Sequence, residues 1–234
     1  MTTFVLVHGA WSGAHTFHLV RPLLRQAGHE VFTPSLTGLG ERAHLASPQV
    51  NLSTHITDVV NTILYEDLND IVLLGFSYGG MVVTGALAHV AERVRHLVYL
   101  DAFLPADGET ALQLTGHSAP MSLTIAQQWL VPSPQRQYED AAEAAFIDAR
   151  RVPHPAGCFV EPVRLPRKLE DYAFTRSYIK ATGEAPPAVG SNAFWDAAAR
   201  VRSSPAWRYH EIATNHMIPC NRPKELVAML LALV

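Results

Sequence analysis

Short apolar runs alternate with helical patterns along the first hundred residues of the chain. The runs are apolar on both faces, as expected of strands in a parallel sheet that is covered on both sides. Between them, apolar residues recur at helical spacing, and Gly28 is typical of a helix end. The predicted strands are 4–7, 29–33, 71–75 and 96–100, and the predicted helices are 16–27, 53–64 and 78–90. The alternation predicts an α/β fold with a mostly parallel sheet and helices on both faces.

The regular pattern stops between about 104 and 176, where prolines are frequent and one helical stretch, 138–151, stands out. It resumes with predicted strands at 177–181 and 207–212 and predicted helices at 192–202 and 224–234. Because the irregular segment is inserted between two strands, we expect a small helical cap over the carboxyl ends of the sheet, where such sheets bind ligands. The sequence therefore predicts one domain, 1–234, with an inserted cap at about 104–176.

Composition limits the partners. Hydrophobic residues make up 48% of the chain and the formal net charge is −3, so nucleic acid is not an expected partner. No apolar run reaches the length of a membrane span and no secretory signal is visible, which predicts a cytoplasmic protein. Cys158 and Cys220 are expected to be free thiols. The oligomeric state cannot be read from the pattern, and a homodimer is compatible with it.

The twelve histidines are scattered along the chain. None of them follows the HxH or HExxH spacing of a metal site, and cysteine pairs at zinc-finger spacing are missing. The sequence therefore predicts neither a metal nor a cofactor.

The segment 75–79 reads Gly-Phe-Ser-Tyr-Gly and matches the pattern G-x-S-x-G between a predicted strand and a predicted helix. Such a turn projects a serine hydroxyl above the sheet, and the flanking glycines remove side chains that would collide with the backbone. A glycine-rich turn with a chance serine is the alternative. A phosphate-binding loop is disfavoured because neither G-x-G-x-x-G nor a following lysine is present. We interpret Ser77 as a nucleophile.

A nucleophilic serine needs an oxyanion hole with two N–H donors. The amide of Tyr78, directly after the nucleophile, is one candidate. The loop that follows the first strand supplies the second, and the amide of Ala10 fits best. His8 is then expected to shape this loop and not to act as a base.

The general base is expected after the last strand, and His216 stands there, after the run 212–215 and before the terminal helix. His210 lies within the strand and is interpreted as structural. Three carboxylates are candidates for the acid that orients the imidazole. Asp101 ends a strand in apolar surroundings and is favoured, Glu184 after the next strand remains an alternative, and Asp196 is interpreted as solvated. The predicted pocket residues are Gly9, Trp11, Phe76, Phe103, Trp129 and Met217, of which the aromatic ones also fit a place in the core.

Taken together, the segments 8–13, 22–24 and 28–31, the serine turn and Asn215-His216-Met217 resemble the plant methylesterase and hydroxynitrile lyase branch of the α/β-hydrolases and its bacterial esterase relatives. The resemblance is loose only in the cap. It implies an α/β-hydrolase fold, a compact cap over a buried pocket, no cofactor, and esters of small acids as substrates.

Two positions separate esterases from lyases in that family. The lyases carry a threonine at the position of Gly9 and a lysine at the position of Met217, and the lysine stabilises the cyanide as it leaves. The resemblance therefore favours a serine hydrolase that cleaves small carboxylic esters through an acyl-enzyme. A carbon–carbon lyase or a low-turnover binding protein on the same fold is the alternative. The plant members place an aspartate where this chain offers only Glu184, whereas Asp101 resembles the acid position of some haloalkane dehalogenases.

Overall fold

The computed structural model describes residues 1–116, 128–185 and 192–233, and within them the chain forms eight strands. They are β1 Thr3–Val7, β2 Glu30–Phe32, β3 Ile71–Phe76, β4 Val94–Leu100, β5 Leu130–Val131, β6 His154–Pro155, β7 Thr175–Ala181 and β8 Arg208–Ile212. Six of them form one sheet in the order β2-β1-β3-β4-β7-β8, and every neighbouring pair is parallel. The strands β5 and β6 pair as a separate antiparallel ribbon. The predicted parallel sheet is confirmed.

Helices connect the strands. They are α1 Val20–Gln26, α2 Leu52–Tyr65, α3 Gly79–Val90, α4 Ala111–Leu114, α5 Ala141–Asp148, α6 Gly157–Val160, α7 Ala193–Arg202, α8 Ile218–Asn221 and α9 Pro223–Ala232. The predicted start at residue 16 is wrong, because 14–17 form a 3₁₀ turn and the α-helix begins at Val20. The helix predicted over 138–151 is shorter, since the Asp140 side chain caps its first turn by accepting the amide of Glu143.

Alternating strand residues face opposite layers of the core. Val5 and Val7 pack with α2, α3 and α7 on one side of the sheet, whereas Phe4 and Leu6 pack with α1 and α9 on the other. All four of these strand residues are fully buried. Full burial of one such side chain stabilises the fold by about 1.5–3 kcal/mol relative to exposure. This two-sided covering explains why the strands show no polar face.

The segment between β4 and β7 carries α4, the β5–β6 ribbon, α5 and α6. It contacts the loop that follows β1: the Trp11 indole N–H donates to the Val131 carbonyl at 2.9 Å, and the Val152 amide donates to the Trp11 carbonyl at 3.1 Å. The division into one domain with a cap at about 104–176 stays a prediction. Of the helices in the described residues, none is long and apolar enough to cross a membrane.

Candidate active site

Ser77 occupies a sharp turn between β3 and α3. Its φ angle is 56°, in the left-handed region that residues with a side chain rarely adopt. Its amide donates to the Leu100 carbonyl at 3.2 Å, and its own carbonyl accepts from the Phe103 amide at 3.1 Å. At Gly79 a Cβ would lie 2.6 Å from the Val7 carbonyl oxygen, so the start of α3 fits against β1 only without a side chain there. Both neighbouring strands thus fix the strained turn.

His216 lies between Ser77 and Asp101. Its Nε2 is 3.0 Å from the Ser77 hydroxyl oxygen, and its Nδ1 is 2.7 Å from Oδ2 of Asp101. Because the carboxylate can only accept, the imidazole proton is on Nδ1 and the lone pair of Nε2 faces the serine. The structure brings these three predicted residues into one hydrogen-bonded chain, which is the arrangement that general-base activation of a serine requires.

Two aromatic rings hold the imidazole in place. Phe76 stacks on one face with ring centroids 4.9 Å apart, and Phe194 stacks at 5.0 Å with an interplanar angle of 4°. The loop is fixed by Asn215, whose side-chain oxygen accepts from the Met217 amide at 2.9 Å and from the Asn221 side chain at 2.8 Å. The ring therefore keeps the orientation that directs Nε2 at Ser77.

Asp101 is buried directly after β4, with a φ angle of 39°. Its Oδ1 accepts from the Lys180 ammonium at 2.7 Å and from the Ala181 amide at 3.2 Å. Burial alone would raise the pKa of the Asp101 carboxyl, but the hydrogen bonds and charges of His216 and Lys180 outweigh it and hold that pKa below its usual value. The group therefore remains a carboxylate, and its other oxygen, Oδ2, accepts the hydrogen bond from His216.

The other two carboxylate candidates lie elsewhere. Glu184 is exposed, and although it shares a polar cavity with His216 it makes no hydrogen bond to that residue. Asp196 is exposed on α7. The geometry therefore favours Asp101 as the partner of the imidazole.

The predicted oxyanion donors are the amides of Ala10 and Tyr78, and neither amide has a hydrogen-bond partner within the described part of the chain. Trp11 follows with a φ angle of 61°, again in the left-handed region. His8 shapes this loop: its Nδ1 donates to the Gly9 carbonyl at 2.8 Å, and its Nε2 accepts from the Leu36 amide at 3.1 Å. Burial lowers the pKa of His8 to about 3, so the ring stays neutral.

Two cavities flank Ser77. The larger has a volume of about 260 Å³ and is mostly apolar, with a lining that includes Trp11, Phe103, Leu112, Val131, Phe159 and Phe194. The smaller, about 20 Å³, is lined by residues that include Gly9, Phe76, Arg136, Arg151, His216 and Met217. Five of the six predicted pocket residues therefore line a cavity beside the serine. Trp129 is 42% exposed and lines neither of these two cavities, and its place in the pocket stays a prediction.

A group of possible metal-binding atoms lies beneath the oxyanion loop. One ligand atom each from His55, His154 and Cys158 fall within 4.8 Å of one another, a set that sequence spacing did not indicate. The Nδ1 of His154 accepts from the Trp11 amide at 3.2 Å, which places the ring proton on Nε2, the nitrogen left for a metal. Burial also raises the pKa of the Cys158 thiol, which disfavours the thiolate. The donor set fits a neutral hydrogen-bonded cluster better than a cation.

Sequence reasoning missed three residues of this site. Lys180 could have been noticed as a cation at an inward position of a buried strand. Phe194 lies in the predicted helix 192–202 and Arg136 in the irregular segment, and no sequence signal places either beside His216. Their positions follow from the packing of α7 and of the loop that follows β5.

Comparison with known proteins shows the family of the chain. Residues 4–229 match the alpha/beta hydrolase family. The chain is 35% identical to a carbendazim hydrolyzing esterase from a Nocardioides species over an alignment of 257 positions that covers 100% of both chains. It is 33% identical to an alpha-hydroxynitrile lyase from Arabidopsis thaliana over 108 positions, 44% of this chain and 40% of that one.

Among solved structures, the fold is similar to an extracellular alpha/beta-hydrolase from a Paenibacillus species, described as sharing structural and functional homology with the tobacco salicylic acid binding protein 2. The TM-score is 0.83 and the sequence identity 25%, with 99% of this chain and 98% of that chain covered. The predicted resemblance is confirmed, and the chain belongs to the alpha/beta hydrolase family.

Proposed function

We propose that this protein is a carboxylesterase in which Ser77 attacks the carbonyl of a small ester and forms an acyl-enzyme. The observation that carries the proposal is the hydrogen-bonded chain from the Ser77 hydroxyl through His216 to Asp101, with distances of 3.0 and 2.7 Å. The full-length similarity to a carbendazim hydrolyzing esterase supports the same reaction class.

The reaction takes two steps. Nε2 of His216 accepts the Ser77 proton as the hydroxyl oxygen bonds to the ester carbonyl carbon. The tetrahedral intermediate collapses, and the alcohol leaves with the proton that His216 returns to it. Water then enters, gives a proton to His216 and attacks the acyl carbon, and the acid leaves as the proton returns to Ser77. Asp101 stabilises the imidazolium in both steps.

Charge that develops on the carbonyl oxygen needs donors that are in place before the reaction. The unpartnered amides of Ala10 and Tyr78 are proposed to supply them, supported by the start of α3 behind Tyr78. Loss of one such donor typically costs about 2.7–4 kcal/mol of transition-state stabilisation. Because His8 and the strained Trp11 backbone hold the loop, these amides need not reorganise during the reaction.

The larger cavity limits the substrate. Its volume of about 260 Å³ and its apolar lining are suited to a small aromatic or short aliphatic group next to Ser77. A long acyl chain would have to extend into solvent. We therefore propose esters of small acids or small alcohols as substrates.

The test is hydrolysis of 4-nitrophenyl esters of increasing acyl length by the wild-type chain and the Ser77→Ala variant. Wild type is expected to cleave the short esters, and the variant to lose at least about 10⁵-fold in kcat. A fluorophosphonate should add its mass to the peptide that contains Ser77. The matched control is Ser203→Ala, which removes an exposed hydroxyl and should leave the rate unchanged. Undiminished turnover by Ser77→Ala would refute the proposal.

The site gives little support to cyanide chemistry. Met217, directly after the histidine, is buried beside Ile147 and Cys220 and offers no ammonium for a departing cyanide. A low-turnover binding role has less support than catalysis, because the serine and imidazole are already aligned in the structure. Cleavage of mandelonitrile would support the lyase. Failure of a fluorophosphonate to label Ser77 would support the binding protein.

We also propose that the enzyme works in the cytoplasm. Its support is that Cys158 and Cys220 are both free and buried, as is usual in a reducing compartment. Cell fractionation with an antibody to the chain is the direct measurement. A homodimer stays a prediction.

A further inference from the structure

Arg136 places a positive charge beside the candidate nucleophile. Its side chain lines both cavities that contain Ser77, and it is half-buried. The guanidinium carbon lies 5.9 Å from the centre of the Trp11 ring. Burial and the neighbouring charge of Arg151 hold the pKa of Arg136 below its usual value, yet a guanidinium stays protonated at neutral pH. A permanent cation thus faces the site.

Within the part of the chain that the structure describes, the guanidinium has no acceptor. Across residues 1–116, 128–185 and 192–233, Arg136 makes neither a hydrogen bond nor an ion pair. A guanidinium carries five N–H donors, and removing them from water without a partner is unfavourable. A ligand that supplies acceptors at this position would therefore bind with a gain in free energy.

A second cation reinforces the first. Arg151 lines the smaller cavity together with Arg136, and it is held by a 2.7 Å hydrogen bond from its Nε to the Ser133 hydroxyl. The carboxylate of Glu184 attracts Arg136 electrostatically, but Glu184 is exposed to solvent. The positive charges of Arg136 and Arg151 repel each other and create a positive potential at the smaller cavity. A bound anion would lower this repulsion.

Among the described residues, the remainder of the larger cavity is mostly apolar and carries no other charged side chain, so an anion in it is best held at the arginine side. We propose that the natural ester carries a second, negatively charged group, a carboxylate, which pairs with Arg136 while the ester carbonyl lies at Ser77. A carboxylate matches the planar donor fork of a guanidinium and can accept two parallel hydrogen bonds from it. This inference rests on the proposed esterase function and names its substrate class: half-esters of small dicarboxylic acids, or small esters whose alcohol carries a carboxylate.

The experiment compares charged and neutral esters of matched size. One pair is 4-nitrophenyl hemisuccinate and 4-nitrophenyl butyrate, in which the acyl group carries the charge. The other is 4-acetoxybenzoate and phenyl acetate, in which the alcohol carries it. The ratio of kcat/KM, charged over neutral, is measured for wild type, Arg136→Met, Arg136→Lys and Arg164→Met. The last removes an exposed arginine outside both cavities and serves as the matched control.

For at least one pair, the ratio in wild type should exceed that in Arg136→Met by about tenfold or more, as expected when a charged hydrogen-bonded contact is lost. Arg136→Lys should retain part of the preference and Arg164→Met all of it. The ratio cancels any general effect of a variant on folding or on the serine. Added salt should lower the preference in wild type.

Equal ratios in wild type and Arg136→Met for both pairs, with good turnover of the neutral esters, would overturn this inference and leave the esterase intact. If wild type cleaves none of the four esters and Ser77 resists fluorophosphonate, the proposed function itself fails, and this inference fails with it. The two failures are therefore distinguishable.

Discussion

The Lys180 ammonium donates a 2.7 Å hydrogen bond to Oδ1 of Asp101, the carboxylate whose other oxygen accepts from His216. Lys180 is buried, donates a second hydrogen bond to the Ala181 carbonyl at 2.6 Å, and lies 4.3 Å from the centre of the Trp195 ring. One carboxylate thus serves a permanent cation and an imidazole that becomes a cation during the reaction. The charge and hydrogen bond of the lysine help to hold the pKa of the Asp101 carboxyl below its usual value.

Replacing Lys180 with Met should therefore raise the pKa of Asp101, because the carboxylate loses a charged hydrogen-bond partner. We expect the acid limb of the kcat/KM–pH profile to move to higher pH by roughly 0.5–1 unit, since one unit corresponds to about 1.4 kcal/mol of interaction with the charged form. Thermal unfolding should occur at lower temperature, because a buried ion pair is broken. Lys180→Arg keeps the charge and should restore most of the wild-type profile.

Lys168→Met is the control for this prediction, since it removes an exposed lysine. Its pH profile should match that of wild type. An acid limb of Lys180→Met that stays in place or moves to lower pH would show that the lysine does not control the ionisation of Asp101.

Asp101→Asn should lower kcat by roughly 10⁴-fold, the size found when the acid of a serine protease triad becomes an amide. The amide cannot stabilise the imidazolium and favours the wrong tautomer of His216. Glu184→Gln should stay within about twofold of wild type, because Glu184 is exposed and not bonded to the imidazole. Steady-state kinetics on one short ester compares both. The reverse order of effects would assign the acid to Glu184.

The serine turn and the histidine could be predicted because their signals are local. Ser77 stands in a glycine pattern between a buried strand and a helix, and His216 follows the last strand. The choice between Asp101 and Glu184 could not be made in this way. It depends on β4 lying next to β7, where the Asp101 amide bonds to the Ile179 carbonyl at 2.7 Å, a long-range contact without a periodic signature.

The sequence also could not predict what surrounds these groups. The stacking of Phe194 on His216 depends on how α7 packs, and the position of Arg136 depends on how the irregular segment that also carries Trp129 packs. The left-handed backbone at Trp11 and Asp101 is equally invisible in the pattern, because neither is a glycine. The spacing of apolar residues predicts the strands and helices that form the layers of the fold, whereas the residues that line a pocket depend on tertiary contacts.

A side chain at position 9 should block the nucleophile. A Cβ on Gly9 would lie 2.9 Å from Cβ of Ser77 and 3.3 Å from its hydroxyl oxygen. We expect Gly9→Ala to lower kcat/KM by about 100-fold or more, since a displacement of about 1 Å at a reacting atom has effects of this size. The rate of fluorophosphonate labelling of Ser77 should fall in parallel, with the melting temperature nearly unchanged. Wild-type activity in Gly9→Ala would show that the loop after β1 shifts at little cost to accommodate the added methyl group.

Three fully buried histidines should make the fold sensitive to acid. Burial lowers the pKa of His8 to about 3, that of His55 to about 4, and that of His154 well below its ordinary value. In the unfolded chain each ring would bind a proton near pH 6.5, whereas in the folded chain it stays neutral until much lower pH. The unfolded state therefore binds more protons below pH 6.5, and the stability of the fold declines as the pH falls from 6.5 towards 4.

Urea unfolding between pH 7.5 and 4.5 measures this decline. The free energy of unfolding should be nearly flat above about pH 7 and fall below 6.5, with each buried histidine adding up to about 1.4 kcal/mol per pH unit. His154→Gln should reduce the slope of the unfolding free energy against pH by the equivalent of about one bound proton. His44→Gln, at an exposed position, should leave that slope unchanged. A flat dependence in wild type down to pH 5 would show that these rings take up protons in the folded state, against the burial seen here.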